Sequence, residues 1–275
     1  LLSHALEVGG RLANDAAEVI AATAEQHGQA VRGVRRPPPN RETALFDWVT
    51  DINRTLERHT RRVLAAQFPD IPVVGPVMST EYHGMDIHRP ESRYRWLVAP
   101  LDGTANYLAG LPWYGYSLAL LDATGPVVGV ISDPARAEIY AAARGRGTRV
   151  NGVPVRIPER PTGGYPICVE PAREGRRPGL PEFLATSVRA GLGVRVLGSA
   201  SLAIAQVALG HAVAAVLEDY RSWEVAAGLA LALEAGAVVL DAHGRPDPVP
   251  ADGLLVVTPS AAGEVLDRWR AAHRA

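Results

Sequence analysis

A series of short apolar segments separated by turn signals, between residues 95 and 152, is the feature that most constrains the fold. The sequences at 122–125 and 151–152 are typical of tight turns between antiparallel strands. The apolar segments predict strands at 96–98, 116–121, 127–132, 138–142 and 148–150. Successive hairpins of this kind build an antiparallel sheet, and other elements must cover its apolar face.

Helical patterns precede this region. Apolar residues recur at helical spacing over residues 3–31, and a second helix is predicted from Thr50 to Gln67, with Thr50 as its N-cap. Three consecutive prolines at 37–39 cannot continue a helix, so they separate the two.

The pattern changes after a proline- and glycine-rich stretch at 154–166. From there strands and helices alternate. Strands are predicted at 167–169, 194–196, 238–240 and 254–257, and helices at 181–191, 201–216, 223–235 and from 261. We therefore expect an N-terminal α+β subdomain over 1–155 and a C-terminal α/β subdomain over 156–275, joined in one compact unit.

The charge of the chain excludes some partners. Its net charge is −1, whereas a nucleic-acid or membrane surface needs a concentrated basic face. The most apolar stretches, 200–217 and 225–240, contain polar residues such as Gln206 and Glu234 and predict buried helices, with no membrane partner. No signal peptide is evident, and we expect a cytoplasmic protein. All basic residues are arginine, which is typical of a GC-rich bacterial genome.

Two motifs carry a resemblance to a known family. Residues 96–107, Trp-Leu-Val-Ala-Pro-Leu-Asp-Gly-Thr-Ala-Asn-Tyr, resemble the W-x-x-D-P-[IL]-D-G-T-x-N-[FY] signature of the inositol monophosphatase family. Residues 223–228, Trp-Glu-Val-Ala-Ala-Gly, with Glu-Ala-Gly at 234–236, resemble its W-D-x-A-A-G and E-A-G motifs. Gly-Ser-Ala at 198–200 also matches, and the motifs span nearly the whole chain in family order. The resemblance implies a layered αβαβα sandwich of mixed α+β and α/β character.

The resemblance also implies a chemistry, the magnesium-dependent hydrolysis of phosphate monoesters. In that reaction the metal ions neutralise the phosphoryl oxygens, lower the pKa of the attacking water and stabilise the leaving alkoxide. The family supplies the carboxylate ligands from G-E-E, from both Asp of D-P-[IL]-D and from the Asp of W-D. A further Thr and Asp position the nucleophilic water.

This chain departs from that ligand set at several positions. Pro76 and Val77 stand where the two Glu of G-E-E are expected, and Ala99 stands where the first Asp of the signature is expected. The second Asp is kept as Asp102, and the W-D Asp is replaced by Glu224.

Two further positions also differ. Asn53 replaces the Asp that would take a proton from water, and Leu217 replaces a sugar-contacting Glu, although Glu218 is adjacent. Glu81 and His83 follow the altered G-E-E segment, and an open question is whether either enters the site.

The predicted site follows from what is retained. We predict catalytic roles for Asp102, Glu224 and Thr104. Residues predicted to bind substrate or an anion are Gly103, Thr104, Ala99, Pro76, Ser199, Ala200 and Leu217. Asp102 and Glu224 are the only residual metal candidates, so we expect no cofactor, with at most weak Mg²⁺ binding.

Three functional hypotheses remain open. The first is a repurposed, metal-independent enzyme that performs acid/base chemistry, such as cyclisation, isomerisation or elimination, on a small organic substrate in bacterial specialised metabolism. The second is a Mg²⁺-dependent inositol or sugar phosphate phosphatase with a reduced metal shell. The third is a non-catalytic binding or regulatory homologue. The expected partners are a small molecule and a second copy of the chain, with no nucleic acid.

Overall fold

Two helices and a run of strands are followed along the chain by alternating strands and helices. The computed structural model describes residues 1–31, 41–77, 92–159, 164–171, 179–251 and 253–272, with the backbone alone for 25–31 and 41–50. The helices are α1 (Leu2–Val31), α2 (Arg41–Gln67), α3 (Thr104–Ala109), α4 (Leu180–Arg189), α5 (Ala200–Ala208), α6 (Ser222–Ala235) and α7 (Ala262–Ala272). The strands are β1 (Val73–Val74), β2 (Arg95–Asp102), β3 (Gly115–Asp122), β4 (Gly125–Asp133), β5 (Glu138–Ala143), β6 (Thr148–Val150), β7 (Val153–Val155), β8 (Ile167–Glu170), β9 (Val194–Arg195), β10 (Ala214–Leu217), β11 (Val238–Asp241) and β12 (Leu254–Val257).

The first sheet has seven strands in the order of the sequence, from β1 to β7. Strand β1 is parallel to β2, and every later neighbour is antiparallel, as the predicted hairpins require. The second sheet has the order β11-β12-β10-β8-β9 and is mixed, because β10 pairs parallel to β8 and antiparallel to β12.

Three apolar cores lie between five layers. Helices α1 and α2 pack on one face of the first sheet, and α5 and α6 pack on its other face. The second sheet covers the opposite side of α5 and α6, while α4 and α7 pack on its outer face. The expected αβαβα sandwich is therefore confirmed. The described residues contain no helix that is long and apolar enough to cross a membrane.

Two predicted helix bounds are wrong. The second helix begins at Arg41, so Thr50 lies inside it and is not its N-cap. The helix predicted over 201–216 ends at Ala208, and Ala214–Leu217 forms a strand. Both parts of that segment are apolar, and helical spacing does not distinguish a buried helix from a buried strand. Pairing with β8 on one side and β12 on the other decides for the strand.

The direction of α6 places its first turn at one edge of the first sheet. A Cβ at Gly129 would lie 2.5 Å from the backbone oxygen of Ala227, so the glycine lets α6 approach β4 closely. The last turn of α6 lies over the opposite edge, because Glu234 accepts the N–H groups of residues 145–147. The first turn therefore lies toward the edge where β2 and β4 end.

Candidate functional site

The signature motif runs through β2 into α3, and its Asp102, at the end of β2, lies close to the first turn of α5. Asp102 is buried, and its Oδ2 atom accepts a hydrogen bond from Ser199 Oγ at 2.6 Å. The same oxygen accepts bonds from the Oγ and the backbone N–H of Ser201, at 2.6 and 2.8 Å. The predicted residues Asp102 and Ser199 are thus brought together. The carboxylate satisfies donors that would otherwise be left unpaired at a helix N-terminus.

A second buried carboxylate, Glu170 at the end of β8, binds the backbone just before α5. Its Oε1 accepts the N–H groups of Leu197 and Gly198, both at 3.0 Å, and its Oε2 also accepts from Gly198. Burial raises the pKa of this carboxyl to about 7, the bonds from Leu197 and Gly198 oppose that rise, and the charge of Asp102 adds to it. Glu170 was not among the predicted residues, although an acidic residue directly after a predicted buried strand is a usable signal.

The amide of Asn106 in α3 ties two loops of this region together. Its Nδ2 atom donates to the carbonyl oxygen of Trp113 at 2.8 Å and to that of Leu197 at 2.6 Å. A side chain at Gly103 would collide with the same Trp113 carbonyl, since a Cβ there would lie 2.3 Å from it, and the residue has a φ of 78°. Only glycine fits this turn without strain. The Thr104 hydroxyl donates to the Leu101 carbonyl at 3.0 Å, a bond local to the turn.

At the first turn of α6, Glu224 accepts the backbone N–H of Arg221 at 2.8 Å. This is the reciprocal half of a capping box, in which an acidic residue in the first turn satisfies the N–H group that precedes the helix. Glu224 is half-buried. Its role in the capping box explains why an acidic residue stands at this position even without a metal.

The segment that stands in place of G-E-E is held by an ion pair. Glu57 of α2 is fully buried, binds Arg61 at 2.8 Å and accepts the backbone N–H of Val77 at 2.8 Å. The Arg61 guanidinium also donates to the Val73 carbonyl. Pro76 is exposed and lies two residues after the end of β1. The loop is thus closed by a carboxylate that is already paired.

Ala99 lies on the face of the first sheet that packs against α5 and α6. It pairs with Ser117 across β2 and β3, so the two side chains share a face, and both residues are buried. The Ser117 hydroxyl is buried and has no hydrogen-bond partner among the described residues. The sequence interpretation did not single out this serine.

The other predicted residues occupy less informative positions. Ala200 begins α5 next to Ser199, while Leu217 is fully buried in β10 between its neighbouring strands. Asn53 lies in α2. The question about Glu81 and His83 falls outside the described residues.

The fold and site together define the class. The five-layer α+β sandwich is the architecture that the sequence resemblance predicted. The sequence matches the Inositol monophosphatase family over residues 4–274, and the chain belongs to that family.

Individual proteins give the same result. The chain is 33% identical over 214 residues to "Inositol-1-monophosphatase" of Rhizobium meliloti, covering 76% of this chain and 77% of that protein. It is 32% identical over 210 residues to "Nus factor SuhB" of Xylella fastidiosa, covering 75% and 74%. Its fold is similar to that of an inositol monophosphatase from Anabaena, with a TM-score of 0.79 and 23% identity, covering 98% of this chain and 96% of that one.

Family members typically use Mg²⁺, so we asked whether this chain could hold it. In the described part of the chain, no three or more His, Cys, Asp or Glu side chains are arranged to hold a metal ion. Asp102 already accepts three hydrogen bonds on one oxygen, and Ala99 offers no ligand atom. The described residues do not fit the octahedral, oxygen-rich shell that Mg²⁺ prefers.

Proposed function

We propose that this chain keeps the fold and the ligand-binding edge of its family, but hydrolyses phosphate monoesters with Mg²⁺ far below ordinary enzyme rates. One observation carries the proposal. The two acidic residues that stand at expected metal-ligand positions, the retained Asp102 and the substituted Glu224, accept hydrogen bonds at helix starts. Each therefore has a structural role that requires no metal. The ligand is proposed to be a small organic molecule.

The electrostatic cost of hydrolysis without those ligands is large. A phosphoryl group carries about −1.5 to −2 charges at neutral pH. Losing one stabilising group for such a transition state costs on the order of 10²–10³ in rate. Ala99, Pro76 and Asn53 remove several groups at once, and together these losses bring the expected rate close to background.

The test measures phosphate release from inositol 1-phosphate with Mg²⁺ present. We expect turnover at least about 10³-fold below ordinary rates of about 1–10³ per second. The matched variant carries Ala99→Asp, Pro76→Glu and Asn53→Asp together, and we expect it to bind Mg²⁺ more tightly by calorimetry. Ordinary turnover by the unmodified chain would sink the proposal. The Mg²⁺-dependent phosphatase with a reduced metal shell would then take its place.

A second candidate is the metal-independent acid/base enzyme. The observation that favours it is Glu170, because its pKa of about 7 lies where a general acid or base works best at neutral pH. A suitable probe is an inosose, the ketone of inositol, incubated with the protein in D₂O. An acid/base enzyme should speed deuterium exchange beside the carbonyl, and Glu170→Gln should abolish that effect. If the wild type and Glu170→Gln both leave deuterium exchange at the rate seen in buffer alone, this candidate is excluded for the probe.

A binding or regulatory role is the third candidate, and the relatives named "Nus factor SuhB" favour it. In this case the site around the end of β2 and the start of α5 would bind its ligand without converting it to a product. We also propose that the protein forms a homodimer and is located in the cytoplasm.

A further inference from the structure

A cavity lies in the groove between α1 and α2, which pack on the face of the first sheet opposite to α5 and α6. The two helices run antiparallel, because His4 of α1 hydrogen bonds to Gln67 at 3.0 Å while Asp15 hydrogen bonds to His59 at 2.9 Å. The cavity has a volume of about 480 Å³, and most of its lining residues are exposed, so a ligand can enter from solvent. Pockets that bind small molecules have volumes of about 300–1,000 Å³, and this one is large enough for such a ligand.

Each of the two helices is held on the sheet by its own apolar residues. Leu12 and Ile20 of α1 and Ile52 and Leu56 of α2 are buried in the core that both helices share with the sheet. The helices therefore need no close contact with each other, and the groove between them belongs to the folded structure. A preformed site loses less free energy on binding a ligand than a site that must first be ordered.

The walls of the cavity carry opposite charges. Helix α1 contributes Asp15 and Glu18, and α2 contributes Arg58, His59 and Arg62. Arginine has no acceptor atom, so Nη2 of Arg62 donates to Nδ1 of His59 at 3.3 Å, and the other ring nitrogen donates to Asp15. A neutral imidazole thus connects Asp15 with Arg62 across the groove.

Glu18 and Arg58 are the charged lining residues that remain. Both are exposed, but neither forms a hydrogen bond or an ion pair with another residue in the part of the chain that the structure describes. A lone anion would be attracted by Arg58 and repelled by Glu18, and a lone cation would meet the reverse arrangement. A ligand that carries both signs can pair with both residues.

The cavity also offers apolar surface to a ligand. Val19 lines it with 37% of its surface exposed, and Leu56 lines it with 3% exposed. An apolar group in the cavity would cover this surface, and the removal of apolar surface from water favours binding.

From this combination we infer that the cavity binds a zwitterionic amino acid with an apolar side chain. The carboxylate of the ligand pairs with Arg58, its ammonium group pairs with Glu18, and its side chain packs against Val19 and Leu56. The guanidinium of Arg58 suits this role, because its planar donors match the two oxygens of a carboxylate.

The test measures the binding of L-leucine by calorimetry, beside two analogues with the same side chain. N-acetyl-leucine has no ammonium group, and leucinamide has no carboxylate. We expect leucine to bind with a Kd of about 1 mM or below. Each analogue should bind at least about fivefold more weakly, because it leaves one charged wall without its partner. No binding of leucine at concentrations up to about 10 mM, or equal binding of the three compounds, would overturn the inference.

Two variants identify which wall binds which group of the ligand. Arg58→Gln should weaken leucine binding about fivefold and remove the preference for leucine over leucinamide. Glu18→Gln should weaken leucine binding to a similar extent and remove the preference for leucine over N-acetyl-leucine. Neither change should lower the melting temperature, because neither removes an interaction with a described residue.

Matched controls make the same charge changes away from the cavity. Glu7 is exposed on α1, Arg189 is exposed in the last turn of α4, and neither lines the cavity. Glu7→Gln and Arg189→Gln should leave leucine binding unchanged. The inference is overturned if these controls weaken binding as much as Arg58→Gln and Glu18→Gln do, or if the latter two keep the ligand preferences of the wild type.

Discussion

At two opposite ends of the first sheet, carboxylates accept backbone N–H groups in different surroundings. In the last turn of α6, Glu234 accepts the N–H groups of Gly145, Arg146 and Gly147 at 2.9 to 3.1 Å, and the side chain is half-buried. Around the start of α5, Asp102 and Glu170 accept comparable bonds but are buried. Water can replace Glu234 at the one end, whereas it has little access to the donors at the other.

This difference explains how a signature aspartate can be retained without a complete metal shell. Removing a buried acceptor leaves its donors unsatisfied, and that loss is larger than the net value of the hydrogen bond. Asp102 therefore has a structural reason to be present in this chain. Three predictions test this difference between the two ends.

The largest effect is expected for Asp102→Ala. The change leaves the hydroxyls of Ser199 and Ser201 and one N–H group buried without their acceptor. We expect the free energy of unfolding to fall by about 4 kcal/mol, as measured by urea denaturation. A loss below about 1 kcal/mol would mean that the structural explanation for Asp102 is wrong.

Glu170 should give the next largest effect, as a dependence of stability on pH. Burial raises its pKa in the folded protein from 4.5 to about 7, so the folded state binds the proton more tightly than the unfolded state. The resulting stability is fully present below about pH 4.5 and is lost as the pH rises through about 7, with a total of roughly 3 kcal/mol.

The measurement for Glu170 is a series of urea denaturations from acid to neutral pH, for the wild type and for Glu170→Gln. The difference between the two curves reports this carboxyl together with its charge interaction with Asp102. A difference that does not change with pH, or that grows in the opposite direction, would contradict the raised pKa.

The smallest effect is expected for Glu234→Ala in the last turn of α6. Its donors are near solvent, and water can replace the lost carboxylate. We expect a loss of about 1 kcal/mol, measured in the same way. If Glu234→Ala costs as much as Asp102→Ala, burial does not distinguish the two ends, and the comparison fails.

Much of the fold was predictable from local patterns. The hairpin strands β3 to β6 were predicted from short apolar segments and turn sequences, and Gly236 ends α6 in the left-handed conformation expected of a C-terminal glycine. The strand β10 was not predictable, because its apolar residues also suit a buried helix. The two strands on either side of it decided its conformation.

The site was predictable only in part. Asp102 and Ser199 were named from their motifs, and the structure brings them within hydrogen-bond distance. Glu170 and Ser117 were missed, because no motif marks them. The role of Glu170 comes from a distant segment that it meets, the N–H groups of Leu197 and Gly198.

The family, the five-layer fold and the absence of expected carboxylates could be predicted from the sequence, because motifs and periodicity are local properties of the chain. How the remaining carboxylates are used could be learned from the folded structure alone. Hydrogen bonding and burial depend on residues far apart in sequence, such as Asp102 and Ser201, which are 99 positions apart. The physical reason is that a carboxylate's role is set by the donors and the solvent around it, and folding alone brings these together.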